Sequence, residues 1–192
     1  MKPSDWIVRW APLIAPGARV LDLASGTGRH ARYLAARGAL VLAVDRDAAA
    51  LDALASSAPV DVLCADLETG EWPLRDARFD AIVVANYLHR PLFPSLRNAL
   101  APGGVLVYET FAAGQQAFGR PTNPDFLLRA GELLTHCTGL HVLAFEDGVI
   151  GQPPAARVQR IVALAAGAEG PGPGQLALGR PVAANEAGAG GG

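Results

Sequence analysis

The chain of 192 residues is short of several things at once. It has two cysteines, Cys64 and Cys137, too few for a disulfide framework, and neither has a partner at metal-ligand spacing. Charge of one sign is also missing: the net charge is −2, which supplies no electrostatic footprint for a nucleic-acid backbone and disfavours nucleic acid as a partner. Aromatic residues make up 6% against 51% apolar residues, so alanine, leucine and valine must build the core. No apolar run is long enough to cross a bilayer; "ALVLAV" and "AIVVA" have strand length. The N-terminus "MKPSDWIVRW" has no apolar stretch of the secretory kind, and the expected location is cytoplasmic, with no membrane partner.

Glycine and proline are plentiful but unevenly spread. From residue 166 onward the sequence reads "AGAEGPGPGQLALGRPVAANEAGAGGG", where Leu176, Leu178 and Val182 cannot form a core alone. The expectation is one folded domain over 1–165 and a disordered tail over 166–192. Within the domain, strand-length apolar runs at 18–23, 40–44, 60–64, 79–85, 104–110, 140–146 and 157–164 alternate with helical patterns. Helices are predicted over 5–14, 28–37 and 47–57, from Pro91 to Leu100, and after Gly131. This alternation predicts a doubly wound, Rossmann-like α/β fold with a seven-stranded, mostly parallel sheet. The final pair of runs lacks a helix between them, so the last strand is expected to enter antiparallel.

The stretch "VLDLASGTGRHARYLAARGALVLAVD", Val20 to Asp45, carries the chemistry. Gly26-Thr27-Gly28-Arg29-His30-Ala31 fits G-x-G-x-x-A between the first strand and its helix, where bare backbone can approach a ligand. Asp45 closes the second strand, well placed to accept hydrogen bonds from ribose hydroxyls. To this point nicotinamide cofactors and other adenosine-bearing ligands fit equally. Asp22 stands just before the loop, a poor neighbour for pyrophosphate and a good one for an ammonium group. Asp66 ends the third run in "LCADLE", and "LAPGGVLVYET" adds a Pro-Gly-Gly turn before a strand. Three acids around one adenosine-sized site suit a cationic ligand.

These four motifs, in this order, resemble those of the class I S-adenosylmethionine-dependent methyltransferases, and more loosely the tellurite-resistance type among them. The resemblance spans about residues 20–165. It implies S-adenosyl-L-methionine as cofactor and in-line methyl transfer to a small-molecule acceptor. It places Asp22 near the methionine amine, and Ala24, Gly26 and Gly28 along the methionine part. Asp45 falls to the ribose diol, Arg46, Asp66 and Leu67 to the adenine, and Asn86 and Tyr87 to the reacting methyl. Ala24 departs from the family's first glycine; its methyl group is expected to fit on a negative φ.

Beyond the motifs, His89 in "NYLHRPLFP" is a candidate base, and Tyr108 a candidate catalytic residue at the end of the fifth strand. Arg90 and Arg120 are candidates to anchor an acidic acceptor, and 112–124 is a candidate substrate loop or lid. No metal site is expected. Two other readings remain: an NAD(P)-dependent oxidoreductase, which gives Asp22, Asp66 and "LAPGGVLV" no role, and a non-catalytic S-adenosylmethionine-binding protein.

Overall fold

The computed structural model describes residues 1–151 and 154–167. Seven strands form one sheet: β1 (Arg19–Leu23), β2 (Leu40–Asp45), β3 (Asp61–Cys64), β4 (Phe79–Ala85), β5 (Leu100–Phe111), β6 (His141–Ile150) and β7 (Ala156–Leu164). Their order across the sheet is β3-β2-β1-β4-β5-β7-β6. The five strands from β3 to β5 are parallel, and β7 runs antiparallel to both of its neighbours. The fold is therefore the expected α/β one, antiparallel last strand included. The order reverses between β1 and β4, which opens a crevice beyond their carboxyl ends.

Side-chain alternation along the central strands divides the core in two. Leu21, Leu23, Ile82, Val84, Leu106 and Tyr108 pack on one face with Phe93 and Leu96 of α4 (Phe93–Ala99) and Leu133 of α5 (Glu132–His136). Val20, Ala81, Val83, Val105 and Val107 pack on the other face. Their partners there come from α1 (Asp5–Trp10), α2 (Arg29–Ala35) and α3 (Ala48–Ala55). Burial on both faces explains why these strands read as near-continuous apolar runs. Trp6, Trp10 and Ile14, at four-residue spacing in the predicted helix 5–14, are all buried. The predicted helix 5–14 stops being α-helical at Trp10, and Pro12 sits in the single 3-10 turn that follows.

Two other boundaries differ from expectation. β5 begins at Leu100 and runs through Pro102-Gly103-Gly104, with a register shift against β4 between Phe79 and Ala81. β6 extends to Ile150, so the antiparallel β6–β7 pair is longer than its apolar run suggested. Of the expected tail, residues 168–192 lie outside the described residues, while the carbonyl of Ala166 accepts a hydrogen bond from Gly103 N–H. No helix among the described residues is long and apolar enough to cross a membrane.

Gly28 fastens α2 to α3. Its φ of +74° lies in the left-handed region, and a Cβ there would stand 2.4 Å from Leu54 Cδ2. Gly28→Ala should therefore cost about 3 kcal/mol, combining left-handed strain with overpacking. Urea unfolding measures this, and a loss of only about 1 kcal/mol would show that Leu54 moves aside freely and that backbone strain alone remains.

Candidate functional site

The rim of the crevice is built from backbone in an uncommon state. Ala24 (φ +53°) and Gly26 (φ +53°) follow β1, and Asn86 (φ +57°) follows β4. The negative φ expected at Ala24 is corrected: the chain keeps the left-handed conformation that glycine adopts freely, at a cost of about 1–2 kcal/mol. Strain of this kind persists only where its surroundings enforce it. Asn86 N–H donates to the Glu109 carbonyl at 2.9 Å, and Ser25 N–H to the Val44 carbonyl at 3.1 Å. The Asp45 carboxylate accepts from Gly26 N–H at 2.7 Å and from Asp47 N–H at 3.0 Å. Asp47 itself caps α3 through Ala50 N–H at 3.1 Å.

Two hollows meet at this rim. The first, about 160 Å³, is lined by Ala24, Asp45, Arg46, Ala65, Asp66, Leu67, Glu68 and Tyr87, so six of the expected cofactor residues converge there, five from the ends of β1, β2 and β3 and Tyr87 from beyond β4. The second, about 390 Å³, is lined by residues following β4, by the end of β5 and by the loop beyond it. Glu68 and Tyr87 border both. A larger hollow of about 580 Å³ runs along Glu71–Ala77 alone and brings no side chains together from different elements.

Asp22 lies just below the rim, 1% exposed, on the α2 side of the sheet. Its Oδ2 accepts from Ala31 N–H at 2.9 Å, which satisfies a first-turn donor of α2. Burial pushes its carboxyl up to about 7, against the lowering effects of the Ala31 hydrogen bond and nearby Arg29. Asp66 is exposed and turns the chain through Glu68 N–H at 2.9 Å. A cationic adenosine ligand fits this donor set in two respects. Carboxylates stand at the ends of β1, β2 and β3, and the buried Tyr87 hydroxyl and Ser25 Oγ have no hydrogen-bond partner among the described residues. A Cβ on Gly26 would meet nothing within 4 Å, so the loop's side toward the crevice is open.

The two expected catalytic side chains are not brought to the hollows. Tyr108 is 1% exposed, stacks on Phe93, and donates its hydroxyl to the Tyr87 carbonyl at 2.8 Å. Burial raises its phenol pKa further above neutrality. His89 is half-buried at the start of a 3-10 turn and lines neither hollow. Arg90, expected as an acceptor anchor, is committed elsewhere. Its Nε and Nη2 donate to Glu132 at 2.6 and 3.0 Å, and its other donors to the carbonyls of Asp125 and Leu127.

His30 and Glu109 bind the N-terminal segment to this rim. Ser4 N–H donates to His30 Nε2 at 3.3 Å, and Ser4 Oγ to Glu109 Oε1 at 2.7 Å. Burial lowers the His30 pKa to about 4, so its ring is neutral and free to accept. Sequence reasoning missed Glu68, Thr110, Phe111 and Phe126 as lining residues. Only the acid two positions after Asp66 could have hinted at Glu68. Among the described residues, no group of His, Cys, Asp and Glu could hold a metal ion.

Residues 20–104 match the family described as a methyltransferase domain. The uncharacterized methyltransferase Rv3342 of Mycobacterium tuberculosis is 39% identical over 107 residues, which cover 53% of this chain and 41% of that relative. The chain thus spans less than half of that relative's length. TehB from Haemophilus influenzae has the same fold, with a TM-score of 0.71, 17% identity, and coverage of 85% of this chain and 62% of that one. A TehB-like SAM-dependent methyltransferase from Corynebacterium glutamicum gives 0.60 at 22% identity, covering 81% and 86% respectively.

The raised Asp22 pKa has a thermodynamic consequence. Between about 4 and about 7 the unfolded chain releases the Asp22 proton while the folded chain keeps it, so this residue lowers stability as pH rises through that window. Asp22→Asn stays neutral and keeps an acceptor for Ala31 N–H. Its melting temperature relative to wild type should therefore climb from pH 4 to pH 7 and level off above. Parallel curves across that range would show that Asp22 ionises normally.

Proposed function

We propose that this chain, whose fold is shared with S-adenosylmethionine-dependent methyltransferases and whose residues 20–104 match a methyltransferase domain, transfers a methyl group from S-adenosylmethionine to a small-molecule acceptor. One observation carries the reading: a hollow walled by the ends of β1, β2 and β3 shares Glu68 and Tyr87 with a second hollow beyond β4 and β5. A donor and an acceptor seated side by side would meet at that shared border.

On this reading Asp45 binds the ribose diol. A carboxylate has about four lone-pair sites, so two remain after Gly26 and Asp47 are served. Arg46, Asp66 and Leu67 flank the adenine, and Ala24, Gly26 and Gly28 run along the methionine part. Asp22 serves the methionine amine, and a positive charge beside it draws its buried carboxyl to the ionised form. When bound, S-adenosylmethionine supplies an activated methyl on a sulfonium, so the protein's task is alignment and exclusion of water.

Asn86 and Tyr87 do the aligning. Tyr87 is held at its carbonyl by the buried Tyr108 hydroxyl, which makes Tyr108 a positioning residue. Leu88 and Phe111 give the second hollow an apolar wall beside that border. His89 takes up an acceptor proton only if the segment 86–90 turns it toward the hollow. The nicotinamide alternative leaves Asp22 and Asp66 without a partner and draws no support from the matched family.

Calorimetry of the full chain with S-adenosylmethionine, S-adenosylhomocysteine, NADH and NADPH tests the reading. The two sulfur ligands should bind and stabilise the fold, and the nicotinamides should not. Binding of a nicotinamide alone overturns it. Asp45→Ala should weaken S-adenosylhomocysteine binding by at least about tenfold. It should also lower the melting temperature by a few degrees, because Gly26 N–H loses its acceptor. Unchanged affinity would remove Asp45 from the ribose.

A further inference from the structure

The second hollow has a distinct chemistry. Five of its nine lining residues, Tyr87, Leu88, Phe111, Pro121 and Phe126, are apolar or aromatic; Glu68, Asn86 and Thr110 add polar groups, and Arg120 is its one cation. Phe126 is 49% exposed and leaves this wall open to solvent. Among the described residues the Arg120 guanidinium has neither an ion-pair nor a hydrogen-bond partner, unlike Arg90, Arg157 and Arg160.

Arg120 is held in place by its backbone rather than by its charge. The 3% exposed Gln115 donates through Nε2 to the Arg120 carbonyl at 3.1 Å and accepts at Oε1 from Arg157 N–H of β7 at 2.8 Å. An isolated bridge between Ala112 and Leu128 closes the base of the loop. The segment 112–128 is thus a wall fastened to the sheet, and a buried amide fixes where its arginine stands. Glu68 is the opposing charge; it borders the cofactor hollow, which Arg120 does not reach.

We propose that the 390 Å³ hollow takes an acceptor with an apolar or aromatic body and a carboxylate, the carboxylate paired with Arg120 and the nucleophilic atom toward Tyr87 and Glu68. This rests on the methyltransferase reading of the same site. A guanidinium recognises a carboxylate through two parallel hydrogen bonds, and apolar walls around such a pair strengthen it. The separation of Arg120 from the cofactor hollow sets the polarity of the acceptor: a charged end far from the transferred methyl, and a reacting end beside it.

The test uses the full chain saturated with S-adenosylhomocysteine and two matched probe pairs: phenylpropanoate against phenylpropanamide, and octanoate against octanamide. Binding is read by calorimetry and ligand-observed NMR. Each carboxylate should bind at least about tenfold more tightly than its amide. Arg120→Ala should abolish the preference, and Arg120→Lys should keep part of it. Both variants should melt with the wild type, since the Arg120 side chain is exposed and holds nothing. Amides binding as well as carboxylates, a preference that survives in Arg120→Ala, or no binding by either member of both pairs overturns the acceptor proposal and leaves the cofactor assignment standing. Failure of S-adenosylhomocysteine to bind at the outset overturns the methyltransferase reading and the acceptor proposal with it.

Discussion

The Asp45 carboxylate accepts two backbone N–H groups at once, from Gly26 and from Asp47, and the geometry of the crevice follows from that. One bond draws the loop after β1 across to the end of β2; the other turns the chain from β2 into α3. Without the first, only the Ser25 N–H to Val44 carbonyl bond would tie the loop to β2 against the strain of the left-handed Ala24, and the loop could relax away from the rim. A charged acceptor makes these hydrogen bonds stronger than neutral ones. The residue proposed to bind the ribose is thus also the residue that holds the rim of the crevice in shape.

The same economy recurs around the rim. Asp22 satisfies a first-turn amide of α2 while standing below the loop, and its burial leaves its charge sensitive to what lies beside it. Ser4 caps α1 through Trp6 N–H and also joins His30 on α2 to Glu109 on β5. Tyr108 fills the core with its ring and holds the Tyr87 carbonyl with its hydroxyl. Many polar groups around the crevice are thus used to brace it, while among the described residues Tyr87 OH, Ser25 Oγ and the indole N–H groups of Trp6 and Trp10 have no partner.

Much of the site was legible because it depends on strand ends. A residue at the carboxyl end of a parallel strand lies at the crevice whatever its neighbours do. Asp45, Asp66 and Asn86 could therefore be placed from apolar runs and the turn residues that follow them. Tyr108 shows the limit of that reasoning. Strand alternation sends neighbouring Tyr108 and Glu109 to opposite faces without saying which face meets a pocket; in the fold Tyr108 turns into the α4 side and Glu109 toward the N-terminal segment. Arg90 and Arg120 looked alike as lone arginines in loops. The position of Glu132, 42 residues away, engages one and leaves the other free.

By itself the sequence determined the strand and helix alternation, the parallel sheet with its antiparallel last strand, and the glycine loop with its three acids. Each of these rests on local periodicity or on a residue's place at the end of an element. The tertiary structure alone decided which face each rim side chain takes and where chain-distant partners meet. It also decided that Ala24 adopts the left-handed backbone, because Asp45 and Val44 hold the loop in that shape. The second hollow is the clearest case. Its walls come from residues 68, 86–88, 110–111, 120–121 and 126, which share no pattern along the chain and converge only when β4 and β5 pair and the loop after β5 folds back to Leu128.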